Sequence, residues 1–211
     1  MADLLRPSFI KICGVTSIDD ATLVRDAGAD AFGLIVAPSS RRVTTSLARS
    51  IAGALRASIL CVLVTRELSE IEILRAVDEV APDGVQLHDP VSPSLLSELG
   101  ERDCFIIRAL ATSSPDFDAF DDRLVNAVLV DGPDPGRGVV HAWDQVERRT
   151  WSRPLIAAGG LTSINVADVI EHSWVWGVDV ATGVEREPGV KDPAAVRSFV
   201  TRAREAFEGR S

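Results

Sequence analysis

The sequence predicts a single (β/α)8 barrel over residues 1–211, and three observations predict it. Eight short apolar or β-branched runs alternate with helical patterns along the whole chain. Most of these runs are almost continuously apolar, which is typical of strands covered on both faces in a parallel sheet. No linker or low-complexity stretch interrupts the alternation, and 211 residues lie at the lower end of the range for this fold.

The predicted strands also argue against the alternative fold, a doubly wound open sheet. In chain order the strands are FIKIC, AFGLIV, ILCVLV, GVQLH, CFIIRAL, NAVLVD, PLIAAGG and GVDVATG. An open sheet of that kind normally has fewer strands and a glycine-rich turn after the first one. The sequence CGVTS after the first run is not the GxGxxG pattern of such a turn.

Helix-start and helix-stop signals lie between the predicted strands. Gly28 follows the first predicted helix, where a left-handed C-cap is expected. One apolar face of the second helix is formed by residues at four-residue spacing, Leu47, Ile51 and Leu55. Ser69 with Glu72 predicts a capping box at the third helix. A capping side chain precedes a proline at the first helical position in three places, Ser92-Pro93, Ser114-Pro115 and Asp192-Pro193.

The composition limits the classes of ligand and the compartment. The formal net charge is −9 and no basic stripe is visible, which argues against nucleic-acid binding and requires a local site for any anion. Cys13, Cys61 and Cys104 are scattered, so neither a disulfide framework nor a zinc site is predicted. No signal peptide or membrane-spanning run is recognised, and a cytoplasmic location with reduced thiols is expected.

Two small-residue turns predict a phosphate site after the seventh and eighth strands. Gly159 and Gly160 carry no side chain that blocks an anion, and Thr162 is placed to cap the next helix. Thr182 and Gly183 follow the eighth strand and complete the cradle. Backbone N–H groups at such turns suit phosphate, and barrels of this fold often bind one there. No matching glycine pair follows the third or fourth strand, so a single phosphate site is expected.

Side-chain alternation predicts a cluster of polar groups at the mouth of the barrel. Successive residues of a strand face opposite ways, and the inward-facing polar positions are Lys11, Cys13, Gln86, His88, Asp131 and Asp179. An ionised cysteine can act as a base, and an enclosed aspartate with a raised pKa can act as an acid. Two alternatives stay open: Lys11 and Asp179 form only a buried ion pair, and Asp131 is a turn residue of DGPDPG.

Six stretches of the sequence resemble those of a known family. The stretches KICGVT, SSRRV, VQLHD, VLVDG, AAGGL and GVDVATGVEREPGVKD are similar to those of phosphoribosylanthranilate isomerase, the barrel enzyme of tryptophan biosynthesis. The similarity runs from the first strand to the last helix, and the first and last stretches are the most specific.

The resemblance implies an activity and a set of residue roles. The activity is the Amadori rearrangement of N-(5-phosphoribosyl)anthranilate to 1-(2-carboxyphenylamino)-1-deoxyribulose 5-phosphate, without cofactor or metal, in a monomer or homodimer. Cys13 is implied as general base, Asp131 as general acid and Arg41 as the partner of the anthranilate carboxylate. Only the motif register favours Arg41 over Arg42. The residues implied to hold phosphate are Gly159, Gly160, Leu161, Thr182 and Gly183. Supporting roles are expected for Lys11, Gln86 and Asp179.

Three stretches depart from the family pattern. Ala181-Thr182 replaces two serines before the glycine of the strand-eight turn, which removes one hydroxyl donor to phosphate. Pro135 to Gly138 replaces a GGTG-like stretch, and its Arg137 either covers the site or faces solvent. Asp89 replaces the commoner glycine after the histidine. None of these changes removes a proposed catalytic group, but they leave room for an altered substrate preference.

Four other functions compete with the isomerase. The related histidine-pathway sugar isomerase has aspartate on its first strand and binds two phosphates. A relative acting on a modified anthranilate is compatible with the sequence. A catalytically silent phosphate-binding barrel would be favoured by loss of Cys13 or Asp131, and both are present. A flavin-binding barrel gives no reason for pairing those two residues.

Overall fold

Eight parallel strands close into a barrel in chain order, with the first strand paired to the eighth, in a computed structural model that describes residues 8–114, 117, 120–132 and 150–210. The strands are β1 (Phe9–Ile12), β2 (Ala31–Ile35), β3 (Leu60–Thr65), β4 (Gly84–Leu87), β5 (Phe105–Ala111), β6 (Ala127–Asp131), β7 (Leu155–Ala157) and β8 (Gly177–Val180). All eight predicted strands are present, which confirms the (β/α)8 barrel.

Six α-helices surround the barrel in the described part of the chain. They are α1 (Ile18–Asp26), α2 (Thr45–Leu55), α3 (Glu70–Val80), α4 (Pro93–Glu101), α5 (Val166–His172) and α6 (Pro193–Glu208). A short antiparallel hairpin, β9 (Glu185–Glu187) and β10 (Val190–Lys191), lies between β8 and α6. None of the helices in the described residues is both long and apolar enough to span a membrane.

Most of the predicted helix boundaries are confirmed. Ser69 and Glu72 form the capping box of α3, with each side chain bonded to the other's backbone N–H. Ser92 caps α4 and Asp192 caps α6, each with proline as the next residue. Gly28 has φ +87°, the left-handed conformation expected just after α1. Local side-chain to backbone bonds therefore set these ends.

One helix prediction was wrong at one residue, and another falls partly outside the described residues. In α2 the buried face consists of Ala48, Ile51, Ala52 and Leu55, while Leu47 is 40% exposed. The buried positions follow the i, i+3, i+4, i+7 spacing of an α-helix, and Leu47 lies just before that stripe. Between β5 and β6 the described residues include a 3-10 helix, Asp122–Leu124. The predicted start at Ser114-Pro115 involves Pro115, which lies outside the described residues, as do Pro135 to Gly138 and Arg137.

Side chains of the strands alternate between two cores, and this alternation creates the site. Ile10 and Ile12 of β1 pack outward into the layer between strands and helices. Phe9 faces the barrel interior with small and branched residues of other strands, and its ring stacks on Trp176 at 4.9 Å between centroids. This aromatic pair fills the interior at the amino-terminal ends of β1 and β8. The polar members of the interior face are thereby left at the carboxyl-terminal end, where barrels of this kind place their chemistry.

Candidate active site

A cavity of about 530 Å³ opens at the carboxyl-terminal ends of the strands, and the predicted site residues line it. The polar groups on its wall include Cys13, Arg41, Gln86, His88, Asp131 and Asp179. The turns after β7 and β8 contribute Gly159, Gly160, Leu161, Thr162, Ala181, Thr182 and Gly183. Lys11 is the one predicted residue that does not reach the cavity surface, because its side chain is fully buried.

Lys11 and Asp179 form the predicted ion pair directly beside the Cys13 thiol. The Lys11 Nζ atom lies 3.0 Å from both carboxylate oxygens of Asp179. Their backbones face each other in the pairing of β1 with β8, which fixes the two side chains opposite one another. The ammonium group and the Cys13 thiol lie close enough for each to shift the pKa of the other.

Gly33 of β2 makes room for this cluster and was not recognised as a site residue from the sequence. A Cβ atom at Gly33 would lie 2.9 Å from the Cys13 Sγ atom and 3.1 Å from the Lys11 Nζ atom. Both distances are shorter than ordinary van der Waals contact. A glycine inside the apolar run AFGLIV is the signal that could have found it, since strand glycines often mark a close approach.

Burial and the Lys11 charge shift the pKa of the Cys13 thiol in opposite directions. Burial raises the pKa of the Cys13 thiol above its ordinary value, while the Lys11 ammonium group opposes that rise. For Lys11 the burial effect is outweighed by Asp179 and Cys13, so its pKa is raised and it remains an ammonium ion. Burial and the Lys11 charge therefore oppose each other at the thiol, and burial has the larger effect on its pKa.

Asp131 is the last residue of β6, and the pKa of its carboxyl group is well above the ordinary value. Burial raises its pKa to about 6, even though its Oδ1 atom accepts a 2.9 Å hydrogen bond from the Gly132 N–H. That local bond is the kind a turn residue makes, yet the side chain also lines the cavity. Gly159, at φ +82°, passes so close that a Cβ there would lie 2.5 Å from Asp131 Oδ1. The glycine is needed for this approach as well as for its backbone conformation.

Gln86 and His88 form a polar pair on the β4 side of the cavity. The Gln86 Nε2 atom lies 2.9 Å from the His88 Nε2 atom. Burial, with the nearby cations Lys11 and Arg66, lowers the pKa of His88 to about 4, so the imidazole is neutral at physiological pH. The Gln86 Oε1 atom is buried and has no hydrogen-bond partner among the described residues.

The two predicted phosphate turns pack directly against each other. Gly159 and Gly160 both have positive φ, at +82° and +68°. A Cβ atom at Gly183 would overlap the carbonyl oxygen of Leu161, so the second turn can approach the first only with glycine there. Contrary to prediction, Thr162 does not cap α5: its hydroxyl accepts a bond from the Ile164 N–H in the turn before the helix.

Arg41 is held by a carboxylate that the sequence did not single out. Its Nε atom lies 2.8 Å from Glu185 Oε1 and its Nη2 atom 2.7 Å from Glu185 Oε2, a bidentate pair. Nη2 also donates to the Thr182 hydroxyl at 3.2 Å, which connects the guanidinium to the strand-eight turn. Arg42 is exposed and does not line the cavity, so the geometry favours Arg41 of the two.

Two charged residues in the loops after β3 and β4, Arg66 and Asp89, differ in whether they reach the cavity. Asp89 lies outside the cavity lining, and its carboxylate accepts a bond from the Glu67 N–H, joining the loops after β3 and β4. Arg66 lines the cavity on the β3 side, and its ion pair with Glu67 is long, at 3.6 Å. The described residues contain no group of three or more histidine, cysteine or carboxylate side chains at metal-binding spacing.

Comparisons with known proteins agree with one another. The family model described as N-(5'phosphoribosyl)anthranilate (PRA) isomerase matches residues 10–202. A protein of that name from Natronomonas pharaonis is 38% identical over 204 residues, covering 92% of this chain and 97% of its own. The crystal structure of phosphoribosyl anthranilate isomerase from Thermus thermophilus has a TM-score of 0.80 and 31% identity, covering 93% of this chain and 98% of its own.

One further similar solved structure contains a bound ligand. It is a phosphoribosyl anthranilate isomerase in complex with reduced 1-(o-carboxyphenylamino)-1-deoxyribulose 5-phosphate, with a TM-score of 0.79 and 28% identity. The alignment covers 94% of this chain and 99% of that one. The closed eight-stranded barrel, the family match over residues 10–202 and the relatives that cover nearly the whole chain lead to one conclusion. This chain belongs to the N-(5'-phosphoribosyl)anthranilate isomerase family.

Proposed function

We propose that the cavity at the carboxyl-terminal ends of the strands is the active site of the isomerisation, with Cys13 as general base and Asp131 as general acid. The activity itself follows from family membership: this is an isomerase of tryptophan biosynthesis. The observation that carries the residue assignment is that thiol and carboxyl group line one cavity from β1 and β6, with the carboxyl pKa at about 6.

The reaction needs one acid and one base that flank the sugar. An acid protonates the furanose ring oxygen, so the ring opens and the anthranilate nitrogen forms an iminium ion. That positive charge acidifies the proton on sugar C2, which a base then removes to give the enol of the product. Asp131 suits the first step, because a carboxyl group with a pKa near 6 is partly protonated near neutral pH. Cys13, on a well-separated strand, suits the second.

Lys11 is proposed to favour the thiolate form of Cys13. Proton abstraction requires the ionised sulfur, and burial works against ionisation. The Lys11 ammonium group lies on the same face of β1 and lowers the energy of the thiolate. Asp179 holds the ammonium group in place through both of its oxygens.

The two ends of the substrate are proposed to bind to different groups on the cavity wall. The packed turns at Gly159-Gly160 and Thr182-Gly183 present backbone N–H groups to the phosphate. Arg41 is proposed to bind the anthranilate carboxylate. Its Nη1 atom makes no hydrogen bond with the described residues, so that edge of the guanidinium is available for a carboxylate oxygen.

A coupled assay tests this function directly. Anthranilate and phosphoribosyl pyrophosphate are supplied with the upstream transferase, and disappearance of the fluorescent phosphoribosylanthranilate is followed after adding the purified protein. Rapid loss of the signal, abolished in the Cys13→Ala variant, is the expected result. An unchanged signal with folded wild-type protein would contradict the proposed function. Ring-substituted anthranilates in the same assay reveal any altered substrate preference.

A cytoplasmic location, a single catalytic domain over residues 1–211 and a monomeric or homodimeric state belong to the same proposal. The free, buried state of Cys13, Cys61 and Cys104 supports a reducing compartment. Closure of the barrel by pairing of β1 with β8 supports one domain.

A further inference from the structure

The hairpin β9–β10 places a second buried lysine beneath the site. Lys191 has no exposed side-chain surface and lies in the short hairpin that follows β8. Its Nζ atom lies 2.6 Å from the Cys13 carbonyl oxygen, 2.8 Å from Glu185 Oε1 and 3.4 Å from the Ala181 carbonyl oxygen. Three acceptors around one nitrogen match the three N–H donors of an ammonium ion.

The carboxylate of Glu185 is shared between this lysine and Arg41. Oε1 accepts from Lys191 and from Arg41 Nε, while Oε2 accepts from Arg41 Nη2. The Glu185 side chain is only 2% exposed, and although burial alone would raise its pKa, the bonds from Arg41 and Lys191 lower it. Burial lowers the pKa of Lys191, and the Glu185 carboxylate opposes that shift. With the lysine protonated, two cations around one carboxylate leave a net positive charge at the side of the cavity where Arg41 lies.

We propose that Lys191 is a positioning residue for the isomerisation, because its ammonium group joins the backbone of Cys13 to the carboxylate that holds Arg41. The proposal rests on the proposed roles of Cys13 and Arg41 and deepens them. The hydrogen bond from Lys191 to the Cys13 carbonyl oxygen fixes the backbone at the end of β1, and hence the direction of the thiol. The Glu185 bond keeps the Arg41 fork in place and leaves its charge only partly neutralised.

The Lys191 ammonium group also lowers the pKa of the Cys13 thiol by its charge. Among the described residues, the charged groups that face Cys13 are Lys11 on its own strand, Asp179 on β8, Arg41 after β2, and Lys191 on β10. Lys191 favours the thiolate, as Lys11 does, while Asp179 opposes it. Asp20 of α1 and Glu185 are the acidic groups that face Lys191. Removing Lys191 and removing Glu185 should therefore move the ionisation of the thiol in opposite directions.

The test measures alkylation of Cys13 by iodoacetamide against pH in the ligand-free protein, with mass spectrometry separating the Cys13 peptide from those of the other cysteines. We expect Lys191→Met to raise the midpoint by about one pH unit, a tenfold loss of thiolate at fixed pH. Glu185→Gln should lower the midpoint, and Lys191→Arg should stay near wild type. Arg202→Met, which removes an exposed charge on α6, is the matched control and should not move it.

Steady-state kinetics completes the test. Lys191→Met should lower kcat and raise KM together, because both the thiol and the guanidinium lose a support, and Lys191→Arg should restore part of each. The proposal is overturned if the alkylation midpoints of Lys191→Met and Glu185→Gln move in the same direction, or if neither moves. If Lys191→Met does not fold, the Glu185→Gln midpoint decides. Alkylation needs no turnover, so the two proposals can fail separately. An active Cys13→Ala variant would contradict the proposed function, whereas the alkylation midpoints test only the role of Lys191.

Discussion

Lys11 and Asp179 form a buried ion pair beside the Cys13 thiol, with the lysine nitrogen 3.0 Å from each carboxylate oxygen. Burying such a pair brings little net stability, because both groups lose their hydration. The ion pair instead keeps a positive charge beside the thiol. Asp179 and Cys13 together outweigh the effect of burial, so the pKa of Lys11 is raised.

We expect Lys11→Met to raise the pH midpoint of Cys13 alkylation, because the nearest cation is lost while the Asp179 carboxylate remains. The double variant Lys11→Met/Asp179→Asn is the matched control: it removes both charges and should return the midpoint toward that of wild type. A midpoint that does not move in Lys11→Met would refute the proposed effect of Lys11 on the thiol.

Cys13→Ala and Asp131→Asn should each lower kcat at least about a hundredfold, the usual scale for a general base or acid. The control is Cys61→Ala, which removes a thiol that packs outward in the layer between strands and helices. Its kcat per folded molecule should stay within about threefold of wild type, since it lies away from the cavity. Turnover of Cys13→Ala at near wild-type rate, measured in the coupled assay, would end the general-base assignment.

Asp131→Asn should also stabilise the protein above neutral pH. Because burial raises the Asp131 pKa from 3.8 to about 6, the folded state binds the proton more tightly than the unfolded state. The resulting stability is fully present below pH 4 and is lost as pH rises through 6. The advantage of Asp131→Asn over wild type should therefore grow by about 2 kcal/mol between about pH 4 and pH 8, in urea unfolding. The exposed Asp168→Asn variant is the control, and a pH-independent difference for Asp131→Asn would contradict the shift.

Arg41→Met should raise KM for phosphoribosylanthranilate at least about tenfold while changing competitive inhibition by inorganic phosphate much less, because a guanidinium–carboxylate pair is lost. Arg42→Met is a closely matched control, an adjacent arginine that is exposed and outside the cavity lining. Equal weakening of substrate and phosphate binding in Arg41→Met would move Arg41 to the phosphate site, which its 3.2 Å bond to Thr182 makes a definite alternative.

Gly183→Ala should weaken phosphate inhibition and raise KM, because the added methyl group would overlap the Leu161 carbonyl and force the two turns apart. Gly53→Ala is the comparison, since a Cβ at Gly53 in α2 meets nothing within 4 Å. That variant should be more stable than wild type by about 1 kcal/mol and keep its kinetics. Unchanged phosphate inhibition in a folded Gly183→Ala protein would exclude this turn from the phosphate site.

Local and periodic signals predicted much of the fold. The eight strands follow from short apolar runs, and the α3 capping box follows from a serine and a glutamate three residues apart. The paired turns at Gly159-Gly160 and Thr182-Gly183 were recognisable for the same reason, since small residues after strands seven and eight have a local meaning. Leu47 shows the limit, because its four-residue spacing is regular and yet it lies beside the buried face of α2.

By itself the sequence determined the barrel, the family and the types of group at the mouth. Only the tertiary structure decided how those groups act on one another. Closure of β1 against β8 paired Lys11 with Asp179, 168 positions apart, and the β9–β10 hairpin brought Lys191 to the carbonyl of Cys13, 178 positions away. A pKa depends on burial and on charges within a few ångströms, and neither quantity exists until distant segments have packed.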